Sequence, residues 1–422
     1  MLKALTAAAV ATALAAASIA AHAQMQGKPS MPEGRGKQLV EALCSSCHAL
    51  QLINNSSGYT RDQWRELTSY MVNMSGSPAQ MNEVLDYLQK NFPPGDTNRR
   101  AAKVVPGKLQ LVWKEYVMTK LGQRTRDPIQ AADGSIWYAG QFGNIIGRYD
   151  PKTAQTREYE LPPKSMPHTV QLDPKGRPWF SGNQNGTIGW VDPMSGKATV
   201  WKMPDPEATD PHTITFDKNG IVYFTFQAAN RIGRLDPNTG DIRIVKVAEQ
   251  RSQPYDIKFD KEGTTLWVSC NARPCLLKVD PNTLAITEVK LPHPKTTVRR
   301  LDIAPDGIVW YVNSGAGRLG RVDPKTGDIK EWDSPSGPSS HPYGIAVLDG
   351  AVWYNESGVR PDMLVRFDIA SETFQSWPIK SGNIYAGILR NARTTREGTL
   401  LIHQTATNRV IEVIPQKAVV AQ

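Results

Sequence analysis

One pattern constrains this chain more than any other. From about residue 128 onward it repeats itself at steps of about 43 residues, with three markers in phase. Asp-Pro recurs at Asp150-Pro151, Asp192-Pro193, Asp236-Pro237, Asp280-Pro281 and Asp323-Pro324, with Asp368-Ile369 in the next place. Turn glycines stand at Gly134, Gly176, Gly220, Gly263, Gly307, Gly350 and Gly398. Shortly after most of them comes Trp137, Trp179, Tyr223, Trp267, Trp310 or Trp353. Three interleaved markers in phase are not accidental. A period of this length, built from strand-like runs and turn glycines, specifies small sheets arrayed around an axis.

A single unit shows why. Pro211 to Phe216 alternates as a strand, Asp217-Lys218-Asn219-Gly220 makes a hairpin turn, and Ile221 to Phe226 is the second strand. Arg231 to Leu235 is the third, Asp236 to Gly240 the next turn, and Asp241 to Val247 the fourth. Four such strands make one blade. Six complete blades begin near Pro128, Pro167, Pro211, Pro254, Val298 and Pro342, and a last, from Ile384 to Ile414, shows only three strands. Val112 to Met118 reads as an outermost strand that precedes the first blade. It is expected to complete the last blade, giving a closed seven-bladed all-β propeller without an open edge.

The remaining N-terminal quarter has a different character. Lys3 precedes an alanine-rich apolar run that ends in Ala21-His22-Ala23, the form of an export signal cleaved before Gln24. No other stretch approaches the length of apolar sequence that spans a bilayer, so the chain after signal cleavage is expected not to be membrane-spanning. Cys44-Ser45-Ser46-Cys47-His48 is a C-x-x-C-H motif. Its cysteines suit covalent attachment of one haem c and its histidine suits the iron. Short helices are expected over 34–43, after Thr60 and over 79–92, with Trp64, Leu67, Met71, Met81, Val84, Leu85 and Leu88 facing inward. The predicted organisation is therefore a signal peptide at 1–23, a small all-α domain at 24–95, a polar linker at 96–107, the propeller at 108–416 and a tail at 417–422.

The N-terminal arrangement resembles a class I c-type cytochrome. The resemblance implies a methionine as sixth iron ligand, and the spacing to Tyr87 favours Met71, with Met74 as the alternative and Met81 or no protein ligand behind them. The propeller motifs, such as Asp133-Gly134-Ser135-Ile136-Trp137-Tyr138 and Arg231-Ile232-Gly233-Arg234, resemble the streptogramin B (virginiamycin B) lyase family. That resemblance implies a magnesium-dependent elimination that uses histidine and glutamates. Family repeats often carry Glu three residues after the tryptophan. The corresponding residues are Gly140, Gly182, Phe226, Cys270, Asn313 and Glu356, so one carboxylate stands where several are needed to hold magnesium.

At the start of each innermost strand lie His168, His212, Tyr255, Tyr343 and Tyr385, with Arg299, Arg300 and His341 beside equivalent positions. His168 and His212 are the candidate catalytic residues, and Tyr255, Arg300, Tyr343 and Tyr385 the candidate substrate-binding ones. Three readings stay open for the histidines: packed turn residues, a site for a small anionic or aromatic compound, or a divalent metal site in the propeller. His293 and His403 lie at other phases and read as surface or packing residues. Cys270 and Cys275 flank a hairpin turn and, in an exported protein, are expected to form a disulfide. The formal charge of +9 is spread without blocks, which disfavours nucleic acid and suits an acidic redox partner. The expected function is periplasmic electron transfer through haem c to or from a redox partner protein. In it the propeller binds substrate or partner. A lyase-like enzyme with an accessory haem and a non-catalytic sensing module are the alternatives.

Overall fold

The computed structural model describes residues 31–44, 50, 53, 59–69, 76–93, 101–119, 124–379, 389–405 and 408–416. The expected signal peptide, Cys47, His48, Met71, Met74, Tyr385 and the expected tail lie outside them. The chain divides into two compact units, residues 1–96 and 97–422.

Among the described residues of the first unit there are three helices: α1 (Lys37–Cys44), α2 (Arg61–Ser69) and α3 (Pro78–Asn91). The last begins with Pro78 in its first turn, where a missing N–H costs nothing, so this proline opens α3. Val40, Trp64, Val84, Leu85, Leu88 and Phe92 are buried. Trp64 packs edge-on against Tyr59, with ring centroids 4.9 Å apart. Arg61 ties α2 to α3 through Asp86 at 3.0 Å and Asn82 at 2.9 Å. Gly36 lies hard against α3, where a Cβ would stand 2.9 Å from that of Tyr87.

Among the described residues of the second unit, the strands form seven four-stranded sheets. Six are antiparallel meanders of consecutive strands and the seventh is antiparallel too, and the inner strands of successive sheets neighbour one another around the axis. Burial falls outward. In blade 3 the strands Pro211–Phe216, Val222–Phe226 and Arg231–Leu235 are largely buried, and Ile242–Lys246 is only partly so. The closure predicted from sequence is present. Gln110–Val117 pairs with Arg409–Gln416 in an unbroken antiparallel register, so the two ends of the ring share one blade.

The repeated residues have local reasons. Each Asp of Asp-Pro accepts the N–H two residues on, as Asp150 does from Lys152 at 2.9 Å and Asp236 from Asn238 at 3.0 Å. The hairpin glycines adopt φ values such as +85° at Gly134 and +82° at Gly220, a region costly for other residues. In blades 1, 2, 5 and 6 the recurring tryptophan stacks within its own blade on a fourth-strand aromatic. Trp137 meets Tyr159 at 5.4 Å, Trp179 meets Trp201 at 5.4 Å and Trp353 meets Trp377 at 5.7 Å.

The glycine of Ile-Gly-Arg is a steric requirement. Gly147, Gly233 and Gly320 stand directly opposite Tyr138, Phe224 and Tyr311, and a Cβ at any of them would fall inside the facing ring. Blade 4 carries Val268 opposite Leu277 and needs no glycine there. Gly233→Ala is expected to destabilise the propeller by about 1–3 kcal/mol through overpacking, read as an earlier denaturant midpoint. Phe224→Leu in the same chain is expected to recover part of the loss, and an alanine variant of wild-type stability would refute this account.

Two boundaries differ from those read in the sequence. Blade 1 begins at Thr125 rather than at Pro128, because its proline sits three places downstream of the one that opens blades 2, 3, 4 and 6. The second difference concerns residues 101–107, expected as linker. They run along blade 6: Ala101 pairs with Arg360, Val105 exchanges bonds with Ser376, and Gln375 donates to the Leu109 carbonyl at 2.9 Å. A segment that docks through its backbone needs no apolar periodicity, which is why the sequence concealed it.

Candidate functional site

In blades 1 to 6 the first strand breaks register with the second near its start. Such bulges re-aim side chains. The residue after the strand's first position is Arg126, His168, His212, Tyr255, Arg299 or Tyr343 in turn, and Arg390 holds the corresponding place before the inner strand Ala392–Thr394 of blade 7. These seven phase positions form one layer at the axis: three arginines, two histidines, two tyrosines and no carboxylate.

The layer is in mutual contact. Arg126 Nη2 donates to His168 Nε2. The His168 and His212 rings lie 3.5 Å apart by centroid, and His212 lies 4.1 Å from Tyr255. The Tyr255 and Tyr343 hydroxyls share a short hydrogen bond. Arg299 covers both tyrosine rings, at 5.5 Å from Tyr255 and 5.0 Å from Tyr343, and Arg390 lies 5.8 Å from Tyr343.

A second layer follows one residue further along the strands. Arg300 Nη1 reaches Asp256 Oδ1 at 2.9 Å and its Nη2 reaches Asp127 Oδ2 at 3.4 Å. Arg300 also donates to Thr213 at 3.3 Å and to the Arg390 carbonyl at 3.1 Å, and Thr169 donates to Asp127 at 2.9 Å. All three charged groups are buried. Burial alone would raise the Asp127 carboxyl, but Arg300 and Arg126 outweigh it and hold it well below the ordinary range. Beyond this layer lies a cavity of about 420 Å³, where Lys258 is paired with Asp302 at 2.5 Å.

The structure brings His168, His212, Tyr255 and Tyr343 together as the repeat phase suggested. It reassigns two of them. Arg300 was a candidate substrate contact, but its guanidinium is taken up by two aspartates, and the half-buried Arg299 holds the position in the seven-residue layer instead. His168 was a candidate base. Arginine has no acceptor, so the Arg126 bond occupies the lone pair on His168 Nε2 and places the ring proton on Nδ1, 3.5 Å from Thr169 Oγ1. Reading the sequence missed Arg126, Arg390, Asp127 and Asp256. Arg126 was hidden by the misplaced start of blade 1. Arg390 was hidden because blade 7 has no proline to mark the phase.

Burial lowers the His168 and His212 imidazoles well below the ordinary value, and Arg126 and Arg300 add to it. His403, fully buried in the second strand of blade 7, is brought down to about 3, with burial the main cause. These three rings are neutral when folded but titrate near 6.5 when unfolded, so stability present above that pH is lost as pH falls. Each removes about 1 kcal/mol between pH 7.5 and 5.5. Asp362, pushed up to about 7 by burial, acts in the opposite sense. His341, brought down to about 4 chiefly by burial, adds a fourth such ring, so that against an offset of about 2 kcal/mol from Asp362 the four histidines leave a net loss of about 2 kcal/mol at the lower pH. Urea unfolding at the two pH values tests this, and equal or greater stability at the lower pH would mean the histidines are charged in place.

Cys270 and Cys275 are joined by a disulfide with Cα atoms 5.5 Å apart, closing the hairpin of blade 4. At the position three after the repeated aromatic, Glu356 is buried. Ser334 Oγ at 2.6 Å and Ser336 N at 2.9 Å hold it, and burial raises its carboxyl above the usual range. Among the described residues no group of three or more His, Cys, Asp or Glu is placed to hold a metal ion.

The model of the Virginiamycin B lyase family matches residues 107–295. The propeller is similar to that family across this stretch. A streptogramin B lyase structure is 22% identical, covering 72% of this chain and 98% of its own with a TM-score of 0.66. A catalytically inactive virginiamycin B lyase from Staphylococcus aureus, solved with quinupristin, is 23% identical over 72% and 99%, with a TM-score of 0.64. Kuenenia stuttgartiensis hydrazine synthase matches at 14% identity over 70% and 96%, with a TM-score of 0.57. At such identities the likeness establishes the seven-bladed fold. A comparison with curated proteins finds no match.

Proposed function

We propose that the chain is an exported haem c electron-transfer protein whose propeller binds a small anionic or aromatic compound in its central funnel. The observation that carries the binding site is the seven-position layer. Three guanidiniums, two neutral imidazoles and two phenols face one axis without a carboxylate, a composition suited to an oxyanion on a flat ring.

The haem rests on Cys44-Ser45-Ser46-Cys47-His48. The described part of the first unit is consistent with such a group, since α1 ends at a half-buried Cys44 and the unit buries Val40, Ile53, Trp64 and Leu85. Cys44 and Cys47 would hold it covalently, with His48 and Met71, or Met74, as the iron ligands. A haem so held supplies one-electron transfer. The test is anaerobic screening of the oxidised protein for compounds that reduce its haem. His168→Ala with His212→Ala is expected to abolish reduction by any such compound while leaving the haem spectrum unchanged. A folded double variant reduced at the wild-type rate would move the site elsewhere.

The family match gives specific weight to a second reading, magnesium-dependent elimination. The donor set argues against it. Glu356 is the one carboxylate at its repeat position, and two serines already hold it. The same fold serves a lyase and a hydrazine synthase, so it does not select the chemistry. Added magnesium is expected to support no cleavage of a streptogramin B, and turnover that chelation abolishes would restore the lyase reading.

A further inference from the structure

The two tyrosines of the funnel layer are not equivalent. Both are buried and they share one short hydrogen bond, so one hydroxyl donates and the other accepts. Their surroundings decide which. Tyr255 lies between His212 and Tyr343 and under Arg299 and Arg300, but Arg300 is neutralised by Asp127 and Asp256. Tyr343 lies under Arg299 from blade 5 and Arg390 from the segment that enters blade 7. On its own blade it has His341, a neutral ring brought down to about 4 chiefly by burial. From blade 1, Arg126 adds positive charge. Asp127 and Asp256, the carboxylates of the second layer, are turned to Arg300. The guanidiniums of Arg299 and Arg390 therefore gather positive charge around the Tyr343 ring, with no carboxylate in the layer to balance it.

We propose that Tyr343, rather than either histidine, is the proton acceptor of the funnel, and that the compound it receives carries a phenolic or enolic hydroxyl and is bound as its oxyanion against Arg299 and Arg390. This rests on the funnel being the ligand site. The histidines are poorly placed for the role: the acceptor nitrogen of His168 is already bonded to Arg126, and His212, whose Nδ1 meets Thr213 Oγ1 at 3.0 Å, is made a weak base by burial. Electrostatics agree with the geometry. Burial would raise both phenols, and it pushes Tyr255 up to about 12; at Tyr343 the arginines outweigh it and bring the phenol to about 8. Two like groups pushed apart by their environments are an acid and a base. In the step itself the ligand O–H bond breaks, its proton forms an O–H bond on the Tyr343 phenolate, and the negative charge moves to the ligand oxygen. Net charge is conserved, and the guanidiniums neutralise the anion on either side of the transfer.

The experiment uses the full chain and 4-methylphenol labelled with ¹³C at its hydroxyl-bearing carbon, at pH about 9, where the free probe is mostly neutral. The carbon shift reports whether the bound probe is ionised, and the pH change in weak buffer reports where its proton went. Wild-type protein is expected to bind the probe ionised with about no proton released, because Tyr343 keeps it. In Tyr343→Phe, which retains the ring, the proton appears in solvent at about one per bound probe, or the bound probe stays neutral. Either result identifies Tyr343 as the acceptor. A Tyr343→Phe protein indistinguishable from wild type, or a wild-type protein that binds the probe neutral or releases a full proton, overturns the proposal and leaves the funnel as a binding site. Failure of wild-type protein to bind the probe, or binding that survives Arg299→Gln with Arg390→Gln, overturns the assignment of the funnel itself.

Discussion

Protein carrying Cys44→Ala and Cys47→Ala is expected to contain no haem that survives denaturation, whereas wild-type protein is expected to keep haem through denaturation and acid extraction. The expectation follows from the bond type. Two thioether links would hold a haem regardless of fold, whereas His48 alone would hold it by one coordinate bond that unfolding releases. Loss is therefore all or none in the double variant, and each single variant is expected to retain a fraction through one link. Wild-type haem that extracts freely would remove the covalent assignment. The sixth ligand is read in the same proteins. Met71→Ala is expected to remove the weak near-infrared sulfur-to-iron band of the ferric form and lower the potential. Loss of that band in Met74→Ala instead would move the ligand three residues on.

Arg300→Met is expected to be the most damaging single substitution in the propeller, at about 3–5 kcal/mol. Arg300 is 2% exposed and bridges Asp127 from blade 1 and Asp256 from blade 4, with further bonds to Thr213 of blade 3 and to the Arg390 carbonyl. One side chain thus links blades across the axis. Its removal leaves two carboxylates buried without their counter-charge, and an orphaned buried charge costs far more than a surface ion pair contributes. Asp127→Asn with Asp256→Asn added to the same chain is expected to recover a large part of the loss, because it removes the orphaned charges. Denaturant unfolding of the three proteins measures both effects. A loss under about 1 kcal/mol for Arg300→Met would show that water reaches these groups and that the network is not a structural centre.

Much of this molecule was legible in its sequence, for reasons that are local. Asp-Pro turns, turn glycines with positive φ, the tryptophan that stacks within its own blade and the glycine beneath Tyr138 or Phe224 all act within one repeat. Seven copies of the same local solution amount to a ring, and an orphan strand before the first blade had one open edge to join. The pairing of Gln110–Val117 with Arg409–Gln416 follows from that count. The disulfide of blade 4 was legible for the same reason, since both cysteines belong to a single hairpin.

The funnel was only half legible. Phase identified His168, His212, Tyr255 and Tyr343 as residues near the axis, because equivalent positions in a ring converge. Phase does not say which neighbour each one meets, and that depends on contacts between blades far apart in sequence. Arg300 is separated from Asp127 by 173 residues, and Tyr255 from Tyr343 by 88. A sequence lists Arg299 and Arg300 as alike; the pleat and the bulge send one toward the funnel layer and the other into a buried pair of aspartates. The same holds for His168, whose identity suggests a base until Arg126, from another blade, is found on its acceptor nitrogen. Sequence alone determined the repeat, the number of blades and the closure, because each rests on turns and packing inside one unit. Tertiary structure alone decided which groups are free, which are paired and which carry charge, because proton affinity and hydrogen-bond capacity are set by neighbours that only the closed ring brings together.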